Sequence, residues 1–191
     1  MIRYLITDGS VTENLPAWLE NLEHWIRDGV DFIQIREPQL IPRDLATLVK
    51  RICAVESKTR VLVNDRTDIA IAAGADGVHL RDESIESERV RGVSSRPLFI
   101  SVSCHTVPDV TAAARSGADL AILAPIFPPL SKDSTRPPLG LEALTKAAAS
   151  VNIPVIALGG VTQANAGSCI RAGAAGVGGI SLFSTRAKQN Q

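Results

Sequence analysis

The sequence predicts an α/β fold, a single (β/α)8 (TIM) barrel, and three observations carry that prediction. Eight short apolar runs alternate with seven helix-like segments, the order expected of a closed parallel sheet wrapped by helices. One joint closes a helix and opens a strand four times, as Asp28-Gly29-Val30-Asp31, Ala73-Gly74-Ala75-Asp76, Ser116-Gly117-Ala118-Asp119 and Ala172-Gly173-Ala174-Ala175. Glycine just past a helix end supplies the left-handed turn that such a joint needs. Hydrophobic residues make up 45% of the chain but aromatics only 4%, so the core falls to Ala, Val, Ile and Leu, which suits short buried strands under Ala-rich helices. An open doubly wound sheet competes, but it usually has fewer strands.

In chain order, the strand-like runs are Arg3–Thr7, Asp31–Glu37, Arg60–Asp65, Gly77–Leu80, Leu98–Ser103, Leu120–Pro125, Pro154–Gly160 and Ala175–Ser181. The helix-like segments between them are Leu15–Asp28, Pro42–Glu56, Thr67–Ala73, Ile85–Arg91, Val107–Ser116, Leu141–Ala149 and Ala164–Ala172. Pro16 and Pro108 suit first-turn positions, and Asp65 or Asp68 is placed to cap the third helix. Thr185–Gln191 is polar without an apolar stripe, which predicts a short or frayed final helix. At 191 residues the chain reads as one domain over 1–191, just under the usual length of such barrels.

Lys+Arg and Asp+Glu are both 20, so the formal net charge is zero and neither nucleic acid nor an anionic membrane is the expected partner. No run approaches the ~20 apolar residues of a membrane helix. MIRYLITDG enters a strand pattern with no leader-like segment, and the three cysteines show no CxxC spacing. A reduced, cytoplasmic protein is the expectation.

In such a barrel the chemistry sits at the C-terminal ends of the strands, with phosphate commonly held after the last two. Gly159-Gly160, in PVIALGGVT, has no Cβ atoms to keep an anion from backbone N–H groups, although Gly-Gly after a strand is also simply a tight turn. Ser181, in the echo AGVGGIS, adds a hydroxyl. FIQIRE places Gln34 and Arg36 on one face, where a guanidinium needs either a ligand or an internal carboxylate. Asn64-Asp65 ends the third strand, with Asp65 a candidate Mg²⁺ ligand or a helix cap. FISVSCHT aligns Ser101, Ser103 and His105, the last a candidate general acid or base, or else a donor to a backbone carbonyl; Cys104 faces away and reads as packing. His79 is a weaker candidate. The long stretch IFPPLSKDSTRPPL, from Ile126 to Leu139, carries Ser131, Lys132, Ser134 and Arg136, which could close over phosphates or merely be solvated.

These residues together resemble the thiamine-phosphate synthase/TenI family. The matching stretches are YLITD, FIQIRE, VNDRTDIAIAAGADGVHL, SVSCHT, APIFPPLSK with PPLGLEAL, IPVIALGGVT and AGVGGIS, in register over nearly the whole chain. The resemblance implies a (β/α)8 barrel that binds a small-molecule thiazole phosphate on Gly159, Gly160, Ile180 and Ser181. Synthases of this family join a pyrimidine pyrophosphate to thiazole phosphate with Mg²⁺, whereas TenI-like members isomerise a thiazole carboxylate phosphate by proton transfer and need no metal or other cofactor.

Carried over residue by residue, Gln34, Arg36, Asn64, Ser103, Ser131 and Lys132 match substrate-side positions and Asp65 a metal position. Pro38 stands where a lysine is usual, Pro129 replaces a threonine, and Ser84 falls where the second metal carboxylate is expected, with Glu83 or Asp82 as nearby substitutes. The losses fall on the metal and pyrophosphate half. That pattern favours a TenI-like thiazole tautomerase with His105 and Ser103 catalytic, over a Mg²⁺-dependent synthase using Asp65 and Glu83. A non-catalytic binder of thiazole or thiamine phosphates is the third reading. Apolar helix stripes that face outward leave a homodimer open.

Overall fold

The computed structural model describes all residues except 12, 129–135, 181 and 183–191. Eight parallel strands close into a barrel in the order of the chain, each paired with the next and the last with the first. They are β1 Ile2–Ile6, β2 Phe32–Ile35, β3 Arg60–Asn64, β4 Gly77–Leu80, β5 Phe99–Cys104, β6 Leu120–Leu123, β7 Val155–Ala157 and β8 Gly176–Gly179. The helices between them are α1 Leu15–Arg27, α2 Pro42–Cys53, α3 Thr67–Ala73, α4 Ser87–Gly92, α5 Val107–Arg115, α6 Gly140–Ala149 and α7 Gln163–Arg171. The expected final helix lies outside the described residues. No helix among the described residues is long and apolar enough to cross a membrane.

Each helix buries one stripe against the barrel. Leu45, Leu48, Val49 and Ile52 of α2 are buried at the i, i+3, i+4, i+7 spacing of one helical face. Burying each such side chain contributes ~1.5–3 kcal/mol. Cys104 is fully buried outside the barrel, among Val110, Ala113 and Leu123, as packing requires. Three of the scarce aromatics lie inside the barrel: Tyr4 and Phe32 stack at 5.6 Å, and Phe32 and Phe99 lie 4.9 Å apart. Leu62, Leu120, Ile122 and Ile156 fill the remaining interior.

The four glycine joints all take the left-handed turn, with φ of 81° at Gly29, 79° at Gly74, 84° at Gly117 and 96° at Gly173. Pro16 and Pro108 occupy first-turn positions of α1 and α5. The capping expectation for α3 fails: its N-cap is Arg66 with no side-chain cap bond, because Asp65 is drawn to the barrel rim and Asp68 is bound by the Arg66 guanidinium. The strands also end earlier than their apolar runs. Arg36, Asp65, Gly159 and Gly160 therefore stand just beyond the last ladder bonds, on the loops that form the mouth.

Candidate active site

A hydrogen-bonded chain of side chains crosses the barrel beneath the mouth. Alternation along β1 to β5 turns Tyr4, Gln34, His79 and Ser101 inward, and all four are buried. Gln34 Nε2 donates to Asn64 Oδ1 at 2.8 Å, which leaves Gln34 Oε1 to accept from the Tyr4 hydroxyl at 3.1 Å. That direction fixes the rest. Ser101 donates to the Tyr4 oxygen at 3.0 Å, His79 Nδ1 donates to Ser101 Oγ at 2.8 Å, and Ser103 donates to His79 Nε2 at 2.9 Å. Desolvation holds His79 neutral and lowers its pKa to about 4, against a smaller upward pull from Asp65. Burial likewise raises the Tyr4 hydroxyl pKa, opposed by its bond to Ser101. The centrality of His79 was legible from G-V-H-L by the same alternation that picks out Gln34.

At the rim of β3, Asp65 is the only non-glycine among the described residues with positive φ, at 55°. Such a conformation is costly for a residue with a Cβ and persists only where surroundings enforce it. Here its N–H is tied to the His79 carbonyl at 2.7 Å. The carboxylate faces the turn after β4. Arg81 Nε and a terminal guanidinium nitrogen meet Asp65 Oδ2 at 2.7 and 2.6 Å, and the Ser84 hydroxyl donates to Oδ1. Glu83 is exposed and Ser84, not Glu83, makes the contact, so the expected Asp65 and Glu83 pair is not assembled. The turn is closed by Ser84 N–H on the Arg81 carbonyl at 3.1 Å, which presents residue 84 to the rim and leaves residue 83 outside.

The donor set decides what metal site this can be. Among the described residues no three His, Cys, Asp or Glu side chains gather for a metal. Mg²⁺ is commonly held through one or two carboxylates with substrate phosphates and retained water. Asp65 with the Ser84 hydroxyl fits a site of that shared kind and not one preformed by the protein.

His105 lies past the end of β5. Its Nδ1 donates to the Ala124 carbonyl at 2.7 Å, so the backbone-donor expectation holds, and Nε2 faces Asp82 Oδ2 at 3.4 Å. Burial alone would raise the Asp82 carboxyl, but the hydrogen bond from Arg136 at 3.0 Å and the charges of His105 and Arg136 outweigh it and hold the carboxyl below its usual range. Arg36 is exposed at the mouth, with its N–H on Thr7 Oγ1 at 2.8 Å and no ion pair among the described residues, so the internal carboxylate partner is not found. Ser131, Lys132 and Ser181 lie outside the described residues.

Across the mouth, four strands from β3 and three from β4, sits the glycine loop after β7. Gly159 and Gly160 have φ of 85° and 65°, and a Cβ on Gly159 would meet Pro125 Cα at 2.6 Å. A Cβ on Gly160 would run into the Pro128 carbonyl. The loop is fixed from both sides: Phe127 N–H donates to the Gly159 carbonyl at 3.0 Å, and Asn165 Nδ2 to the Gly160 carbonyl at 2.9 Å. Asn165 and Thr162 cap each other at the start of α7. The N–H groups of Gly159 and Gly160 make no hydrogen bond among the described residues and stand at the N-terminal end of α7, a setting suited to an anion. Ile180, 43% exposed after β8, lies on the adjoining edge.

Residues 3–183 match the family model described as thiamine monophosphate synthase, TMP-TENI. The chain belongs to this family. Among relatives of the thiamine monophosphate synthase family, a thiamine-phosphate synthase of Methanoculleus marisnigri is 41% identical over 155 residues, covering 80% of this chain and 74% of that protein. One from Roseiflexus sp. is 36% identical over 182 residues, covering 94% and 77%. The solved thiamine phosphate pyrophosphorylase from Pyrococcus furiosus superposes with a TM-score of 0.81 at 28% identity, over 96% of this chain and 90% of that one.

Proposed function

We propose that this member of the family is a thiamine-phosphate synthase, joining a pyrimidine diphosphate to a thiazole phosphate with release of pyrophosphate. One observation carries the reading: the mouth is two-sided. The glycine loop after β7 suits one phosphate, and the opposite edge holds Arg36, Arg81 and Arg136, enough guanidinium for a second, more highly charged anion. An isomerisation of one monophosphate needs only the first. The names of the relatives at 36% and 41% identity support the same choice.

In this reading the Gly159 and Gly160 N–H groups hold the thiazole phosphate, with Ile180 and Ser181 assigned to the same phosphate by the family resemblance. The Gln34 and Asn64 amides, locked to each other, read the pyrimidine edge. The thiazole nitrogen gives its electron pair to the pyrimidine methylene carbon as the carbon–oxygen bond to diphosphate breaks. Arg36, Arg81 and Arg136, with Ser131 and Lys132 of the loop after β6, neutralise the departing group. Mg²⁺, when bound at Asp65 and Ser84, adds to that neutralisation. The Asn64–Gln34–Tyr4–Ser101–His79–Ser103 chain keeps the reading groups in one orientation.

Thiazole phosphate and inorganic pyrophosphate are expected to bind together, each without displacing the other, in calorimetric titrations. Mutual exclusion would remove the two-sided site and with it the synthase reading. The arrangement at two residues favours a second reading, the TenI-like tautomerase: Asp65 is already neutralised by Arg81, and His105 Nε2, the ring nitrogen not bound to backbone, stands 3.4 Å from the Asp82 carboxylate. That reading requires His105→Gln to abolish isomerisation of the thiazole carboxylate phosphate while binding persists. Ligand binding without turnover of either substrate would point to the non-catalytic binder.

A further inference from the structure

We infer that Arg81 is the resident counter-charge of Asp65, so that a divalent cation gains this carboxylate only in company with a diphosphate that takes the guanidinium over. The inference rests on the synthase reading of the site. Both Asp65 oxygens are occupied, Oδ2 by two nitrogens of Arg81 at 2.7 and 2.6 Å and Oδ1 by the Ser84 hydroxyl. The two partners arrive as one unit. Arg81 N–H donates to Ser84 Oγ at 3.2 Å, and Ser84 N–H donates to the Arg81 carbonyl at 3.1 Å, so a four-residue turn delivers cation and hydroxyl together.

The turn therefore supplies one positive charge and a neutral oxygen where a metal would need negative ones. A bare divalent cation must displace a guanidinium from the single carboxylate, and it receives in exchange only that carboxylate and a hydroxyl. The pair is nonetheless built to open. The Arg81 side chain is 65% exposed and the Asp65 side chain 22%, so the guanidinium can swing toward the mouth without disturbing the core. An ion pair this exposed is held weakly. A diphosphate offers the guanidinium fork more charge and matching bidentate geometry. Asp82, in the same turn, carries the second cation, Arg136, at 3.0 Å. An incoming anion can thus collect Arg81 from this turn and Arg136 from its Asp82 partner, leaving Asp65 with the Ser84 hydroxyl alone. By linkage, whatever factor pyrophosphate adds to metal affinity, the metal adds to pyrophosphate affinity.

The test reads one substitution in two opposite directions. Mn²⁺ binding without pyrophosphate is followed by the loss of free-ion electron paramagnetic resonance signal, and metal-free pyrophosphate binding by calorimetry. Arg81→Gln is expected to tighten Mn²⁺ by about tenfold or more and to weaken pyrophosphate by a similar factor. Arg81→Lys, which keeps the charge, is expected to hold Mn²⁺ affinity near that of the unaltered chain. Ser84→Asp is expected to tighten Mn²⁺ with Arg81 in place. Mn²⁺ affinity unchanged within twofold in both Arg81→Gln and Ser84→Asp overturns the inference. So does weakening of both ligands together in Arg81→Gln, the mark of a merely structural arginine. Thiamine phosphate formation, measured on the same samples, reports separately on the synthase reading, so loss of one does not masquerade as loss of the other.

Discussion

The two ends of this barrel use the same residue types for opposite purposes. At the N-terminal end, aspartates of the repeated joints are spent on backbone. Asp31 accepts from Arg3 N–H at 2.8 Å, Asp76 from Val61 N–H at 2.7 Å and Asp119 from Ile100 N–H at 2.7 Å. Each ties the start of one strand to the joint that opens the next. The fourth joint has Ala175 in that place and lacks such a bond. Arginines here are also satisfied within the fold: Arg60 lies 4.8 Å from the Phe99 ring centroid, closing the barrel floor, and Arg91 holds Asp119 at 2.7 Å. At the C-terminal end nothing repeats. A strained aspartate, three exposed arginines and glycine N–H groups without a hydrogen-bond partner among the described residues meet at the mouth. Repetition marks what builds the barrel, and departure from it marks what the barrel presents.

That contrast can be broken most directly at its two aspartates. Asp65→Asn is expected to lower kcat/KM for thiamine phosphate formation by about 100-fold or more, the scale on which removing one stabilising group in a charge-separating step acts. Asp76→Asn should leave kcat/KM within about twofold. Equal losses would erase the distinction between the two ends.

His79 sharpens the comparison through pH. Its folded-state pKa of about 4 lies below the ~6.5 of an unfolded histidine, so above pH 6.5 both states are neutral and stability is complete. Between about 6.5 and 4 only the unfolded chain takes up the proton, and stability falls by on the order of 3 kcal/mol; below about 4 this contribution levels off. Urea midpoints measured across that range should show the loss, and His79→Gln should flatten it. A profile unchanged by the substitution would mean that His79 does not carry the effect.

Gly160→Ala forces a Cβ into a φ of 65° and against the Pro128 carbonyl. The expected cost is ~1–3 kcal/mol of stability, read by thermal unfolding, together with weakened thiazole phosphate binding. Unaltered affinity would remove the glycine loop from the phosphate site. The smallest expected effect is at the floor: Asp76→Ala should cost ~1–2 kcal/mol in urea unfolding, with ligand affinities unchanged.

The barrel was legible because its signals are local and repeated: four glycine joints, alternating strands, first-turn prolines. Gln34, Asn64, Ser103 and the glycine loop followed from the same alternation and from strand ends. His79 was legible too, but an isolated histidine in a short apolar strand gives no hint of its two serine partners until the register brings β4 beside β5. The pairing of Asp65 with Arg81 and Ser84 was not legible. It depends on a turn that presents residue 84 inward and 83 outward, and on a backbone conformation that no residue type at position 65 announces. The TenI-like expectation came in part from that segment, because a serine in a carboxylate's place reads as loss, and in part from Pro38 and Pro129. The geometry gives the same serine a bond to the remaining carboxylate, beside a cation that can move.

The measurement that bears most directly on the central claim is thiamine phosphate formation from pyrimidine diphosphate and thiazole phosphate, run with Mg²⁺ and then with excess EDTA. The two-sided mouth predicts sustained product with Mg²⁺ and its loss on chelation, restored by added Mg²⁺. No product from protein that still binds thiazole phosphate would contradict it, and would turn the next assay to tautomerisation through His105.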